Sequence, residues 1–199
     1  VAVPLVTLIH AHRASLVLGT LAALATFVLF YIMTVFSLSW GTRALGYSRE
    51  AFLALQMMGV VFFALTMPAA TVLADRIGLR TVMIGTSIGI AVFGLVAGPL
   101  IASAGWGLVA FLILGFGLMG FTYGPLGAAL ASPFPTSVRY SGSSMTFNFG
   151  GILGASLAPY AATWLAANHG INSVGLYITA AAIISAVAFT FLHLRDDHV

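Results

Sequence analysis

The chain has no cysteine, no lysine and only 6% charged residues. Without cysteine there is no disulfide framework, no thiolate nucleophile and no thiolate metal site. A soluble domain of this size needs about a quarter charged residues. With 61% hydrophobic residues and a mean hydropathy of +1.11, this chain lacks the polar surface to stay dissolved, and lipid is its expected solvent. Its cations are seven arginines. They fall between apolar runs and so report membrane orientation rather than a nucleic-acid footprint. The first residue is Val1 rather than Met, and no signal-peptide pattern precedes the first apolar run, so a fragment or a processed product is expected.

A spanning helix needs about 20 mostly apolar residues to cross about 30 Å. Six segments qualify, near 15–39, 51–73, 82–103, 106–131, 141–166 and 172–194. Arg13, Arg43, Arg49, Glu50, Asp75, Arg76, Arg80, Arg139, Arg195, Asp196 and Asp197 all fall outside them. If the connections take alternate sides, one side receives Arg13, Arg76, Arg80, Arg139 and Arg195, and the other only Arg43 and Arg49. The arginine-rich side is expected to be cytoplasmic, with both termini on it.

The expected fold is therefore an all-α membrane protein, a single bundle of six transmembrane helices over 1–199. The long connections after the first and fourth spans suggest a three-plus-three inverted repeat meeting at Ser103-Ala104-Gly105-Trp106. Glycines four apart (Gly85 with Gly89, Gly94 with Gly98, Gly120 with Gly124, Gly150 with Gly154) offer surfaces for close helix contact in lipid. Pro125, between Gly124 and Gly127, is the strongest candidate for a bend.

Several patterns carry no chemistry. Gly115-Phe-Gly-Leu-Met-Gly120 matches a phosphate-loop spacing but lies inside an apolar span, with no strand before it and no helix start after it. His10 and His12, two apart, do not share a helix face, and no third ligand is near; no metal and no cofactor are expected. No acidic residue or histidine lies at membrane depth beside a serine, so an intramembrane hydrolase has no base. The chain is not expected to be an enzyme.

Asp75-Arg76-Ile77-Gly78-Leu79-Arg80 is the one dense knot of charge, and the segment from Phe134 to Gly142 joins the fourth and fifth runs on the same side. Together they resemble the C-terminal half of a major facilitator superfamily transporter. More narrowly, Phe134, Pro135, Thr136, Arg139, Tyr140, Ser141 and Gly142 are similar to a stretch found in the metabolite:proton symporters. That group includes the shikimate, 2-oxoglutarate, citrate and proline/betaine carriers. Tyr123-Gly124-Pro125, Ala158-Pro159, Phe30-Tyr31 and Leu45-Gly46-Tyr47-Ser48 fit as well. The chain departs from the pattern at Thr71, Leu79, Leu126 and Ser132-Pro133, where the family more often has Gly, Arg, Gln and a Glu before the Phe-Pro.

The resemblance implies a secondary active transporter of the bacterial cytoplasmic (inner) membrane. It would move a small polar metabolite, an organic acid or a betaine-like compound, by alternating access, with symport of protons. The partners implied are the substrate, the lipid bilayer and an N-terminal six-helix bundle that this chain does not contain; nucleic acid is not among them. Asp75, Arg76, Gly78, Arg80 and Arg139 are the gating candidates. The substrate-binding candidates are the polar and aromatic residues at depth: Tyr31, Thr34, Gln56, Tyr123, Phe147 and Asn148. Tyr123 and Asn148 lie at similar depth, ~12 Å from one end at 1.5 Å per residue. No ionisable residue lies at depth, so a titrating carboxylate and any substrate-binding arginine are expected in the other half. The alternative is a truncated bundle with a structural role and no transport of its own.

Overall fold

The computed structural model describes residues 4–103 and 105–194. Val1, Ala104, Arg195, Asp196, Asp197 and His198 lie outside the described residues. Every regular element among the described residues is helical. A short lead helix, Pro4–Ala11, precedes the long ones. The first span is Arg13–Arg43, the second Arg49–Ile77, the third Leu79–Ala102, the fourth Gly105–Ala131 and the sixth Asn172–Phe191; each is long and apolar enough to cross a membrane. The fifth, over 139–169, consists of Arg139–Ile152, a π-turn at Leu153–Leu157 and Ala158–His169. Neither α-helical piece alone reaches across 30 Å of hydrocarbon, but joined through the π-turn they do.

Local chemistry sets the ends. The Ser48 side chain accepts a hydrogen bond from the Ala51 N–H at 3.2 Å, and Glu50 places negative charge in the first turn of the second span, where the helix dipole favours it. Gly78 stops that helix at φ +93, a conformation that strains any residue with a β-carbon. The charged knot is accordingly helix rather than loop. Asp75 and Arg76 complete the last turn of the second span, Arg80 lies in the first turn of the third, and Gly78 alone stands between. Charge at the headgroup level does not require irregular backbone, and internal hydrogen bonding favours extending both helices to the joint.

The third span packs along the sixth and the fourth, the second along the fourth, and the first touches the fourth, fifth and sixth. Glycines form the seams. A β-carbon added at Gly94 would lie 2.6 Å from the Gly175 carbonyl oxygen, and one at Gly120 would lie 2.5 Å from that of Phe63. Gly150 likewise sits against Ala23 at 2.8 Å. The Gly85–Gly89 pair makes no such seam: Gly85 has nothing within 4 Å, and Gly89 faces only Leu118.

Hydroxyls tie the close pairs together. Thr179 donates to the Ala91 carbonyl at 2.9 Å, and Thr66 to that of Gly117 at 2.9 Å. Ser185, fully buried, donates to the Leu21 carbonyl at 2.8 Å and accepts from the Ala25 N–H at 2.9 Å. It is thus inserted into the ladder of the first span.

The core is built around Leu29, Met33, Phe52, Ile90, Leu112 and Phe116, all buried. The second span is the least covered, with Met57 and Leu65 exposed. Helical irregularity appears at Ile32–Phe36 in the first span and Leu153–Leu157 in the fifth. The fourth span stays α-helical through Pro125. The fifth-span turn has a local cause: Pro159, at the start of the following helix, has no N–H to donate and crowds the carbonyl four residues before it.

Candidate functional site

The first, fourth and fifth spans meet around an open concavity of about 420 Å³. Phe27, Phe30 and Tyr31 of the first span line it. Tyr123 comes from the fourth, and Phe147, Asn148, Gly151, Ile152 and Ser156 from the fifth. The aromatic rings brace one another. Phe27 meets Phe147 edge-on at 5.0 Å, Phe30 meets Tyr31 at 5.3 Å, and Tyr123 lies 6.1 Å from Phe30 and 6.0 Å from Phe63. Such rings present wide, preoriented apolar faces, and Tyr31 and Tyr123 add a polar hydroxyl at the tip.

Asn148 is the central polar group. Its side-chain nitrogen donates to the Ser144 carbonyl at 2.7 Å, and the residue is exposed. A second hollow of about 220 Å³, lined by Gly127, Leu130, Ser143 and Ser144, shares Phe147 and Asn148 with the first. These two side chains therefore stand between both spaces. The concavity carries no charged lining residue. What it offers is neutral hydrogen bonding (one amide, one serine and two phenols) between aromatic walls. That suits a small polar solute held by orientation rather than by charge.

The structure brings Tyr31, Tyr123, Phe147 and Asn148 together and places Thr34 and Gln56 elsewhere. The Thr34 hydroxyl donates to the Phe30 carbonyl at 2.7 Å. Gln56 is buried and spends its amide nitrogen on the Met33 and Thr34 carbonyls. Phe27 and Ser156 line the concavity although neither stands out in the sequence. Phe27 is one of 15 phenylalanines, and only the nearby Pro159 signals that the helix around Ser156 is unusual.

At the arginine-rich end, Asp75 and Arg76 are exposed. Arg80 donates to the Leu192 carbonyl at 2.6 Å, tying the start of the third span to the end of the sixth. Arg139 donates through Nε to the Phe134 carbonyl at 3.2 Å. Phe134 is fully buried, and a β-carbon on Gly142 would come within 2.6 Å of its ring. This explains the spacing of Phe134, Arg139 and Gly142: the segment folds on the phenylalanine, with Gly142 leaving it room. Arg80, Pro133, Pro135, His12 and His193 surround a hollow of about 460 Å³, so the two motif segments share one surface. His12 meets Phe134 edge-on at 6.2 Å.

Comparison with known proteins points the same way. The chain is 46% identical to the inner membrane metabolite transport protein YhjE of Escherichia coli, over 97% of this chain and 45% of that protein. It is 39% identical to a putative metabolite transport protein of Haemophilus influenzae, over 98% of the chain and 46% of that protein. It is 28% identical to the shikimate transporter of Escherichia coli, over 98% of the chain and 45% of that protein. The chain thus spans about half the length of the curated relatives it matches. No family model and no solved structure matches it. A multi-pass membrane chain, helical in every regular element among its described residues and aligned over nearly its whole length with about half of several metabolite transport proteins, is one half of a transporter of the major facilitator type.

Proposed function

We propose that this chain forms the C-terminal bundle of a secondary active transporter of the bacterial cytoplasmic membrane, in which it is one domain with both termini cytoplasmic. The whole transporter moves a small polar metabolite, an organic acid or a betaine-like compound, by alternating access and in symport with protons. The observation that carries this reading is the concavity between the first, fourth and fifth spans. Polar groups within a bilayer are costly and gather where a function requires them. Here Tyr31, Tyr123 and Asn148 gather on one open surface with aromatic walls. Tyr31, Tyr123, Phe147 and Asn148 contact the substrate. Asp75, Arg76, Gly78, Arg80 and Arg139 form the cytoplasmic gate with the N-terminal bundle, which also supplies the charged groups and the titrating carboxylate.

The test is uptake by the full-length protein in vesicles with an imposed pH gradient. The panel holds shikimate, 2-oxoglutarate, citrate, proline and glycine betaine. Saturable uptake of at least one, abolished when the gradient is collapsed, is expected. Absence of saturable uptake across the panel refutes the substrate class. Uptake that is indifferent to the gradient refutes proton coupling alone.

A further inference from the structure

Gln56 lies on the second span, outside the lining of the concavity, yet it is bonded to the helix that carries Tyr31. Its side-chain NH2 lies 2.8 Å from the Met33 carbonyl, 3.0 Å from the Thr34 carbonyl and 3.1 Å from the Ser37 hydroxyl, so its two hydrogens are shared among three acceptors. These acceptors belong to the π-turn Ile32–Phe36 and the residue that follows it. The Ser37 N–H reaches back five residues to the Ile32 carbonyl. The Met33 carbonyl therefore loses the amide that a regular α-helix would bring to it. Two side chains make up the loss: the Ser37 hydroxyl donates to Met33 at 2.5 Å, and Gln56 adds the second bond. Met33 and Ser37 are fully buried, where water cannot substitute and an unserved carbonyl is costly.

If those donors are removed, the simplest repair is a return to the α register. One residue of register in a helix is about 100° of rotation. Tyr31 immediately precedes the turn, and Phe30 and Phe27 lie on the same lining face. We infer that Gln56 is a positioning residue of the transport site: by holding the π-turn of the first span, it aims Tyr31 and Phe30 into the concavity. This rests on the transport reading of that concavity. Gln56 touches the helix and not the substrate, and the second span thereby sets the shape of a site it does not line.

The experiment uses the full-length transporter with any cysteines of its other half replaced. A Tyr31→Cys variant is tagged with a membrane-impermeant, polar maleimide, and labelling rates are compared with and without Gln56→Met, which keeps the length and removes the donors. KM is measured in parallel for Gln56→Met alone, with whichever panel compound is taken up. Labelling is expected to slow, and KM to rise about tenfold, the scale of one to two net hydrogen bonds. Ser37→Ala, which removes the other donor to Met33, is expected to act in the same direction and decides the matter should Gln56→Met fail to fold. Unchanged labelling in both variants overturns the inference. A raised KM with unchanged labelling also overturns it, because Gln56 would then touch the substrate directly. If no compound is taken up, the transport reading fails, while labelling alone still reports whether Gln56 holds the turn.

Discussion

Replacing Asn148 with alanine in the full-length transporter separates binding from folding at one position. The side chain is exposed, and its one donated bond goes to the Ser144 carbonyl, four residues back on the same helix. That carbonyl faces the helical ladder whether or not the side chain is present, so losing the bond strands no buried group. Alanine is also the better helix former, by a few tenths of a kcal/mol. Stability should therefore hold or rise slightly. The binding side is different. The amide still has its oxygen and a second N–H to offer a solute in the concavity, and one neutral hydrogen bond contributes about 1 kcal/mol net. Affinity should fall about fivefold, toward about thirtyfold if both groups are used. Initial uptake rates over a range of concentrations give KM and maximal rate, and thermal unfolding in detergent gives stability. Asn148→Ala should raise KM by that factor, leave the maximal rate within about twofold, and not lower the unfolding temperature. An unchanged KM with a slowed rate, or marked loss of stability, would sink the assignment of Asn148 as a substrate contact.

Gly94→Val should destabilise the bundle by about 1–3 kcal/mol, because a β-carbon there meets the Gly175 backbone. Gly85→Ala, inside a helix with open space around it, should be neutral to stabilising by up to about 1 kcal/mol; unfolding in detergent compares the two. Asp75→Asn in the complete transporter should slow turnover and leave substrate affinity within about threefold, since a gate residue biases two states without touching the ligand; parallel binding and uptake measurements check this. Reporter fusions after Arg139 and after His169 should report opposite sides of the membrane, with Arg139 cytoplasmic, and identical signals would refute the topology.

The helices were readable because each apolar run is long enough to cross lipid and is punctuated by arginine or glycine. The concavity was partly readable for a related reason. Tyr31, Tyr123 and Asn148 are conspicuous in apolar helices, and their depths follow from a fixed rise per residue. Gln56 gave the same signal and behaves differently. Its partner depends on helix rotation and on a π-turn that no 3.6-residue periodicity reveals. Asp75 and Arg76 read as loop because hydropathy reports contact with lipid, whereas the backbone there is governed by Gly78. The glycine pairs were alike in spacing, but only those with a helix opposite them became seams. Gly85 shows that spacing alone does not supply the neighbour.

Gly78 alone joins the second and third spans; the second packs along the fourth, and the third along the sixth and, less extensively, the fourth. The covalent link between those two packed pairs has no slack. A connection of several residues would let one pair shift without informing the other. With a single glycine there, a shift of one pair past the other would have to be absorbed in the torsions of Gly78 or in the turn that carries Asp75 and Arg76, and would also disturb the packing of the third span on the fourth. Any such shift would thereby alter how Asp75 and Arg76 are presented at that end.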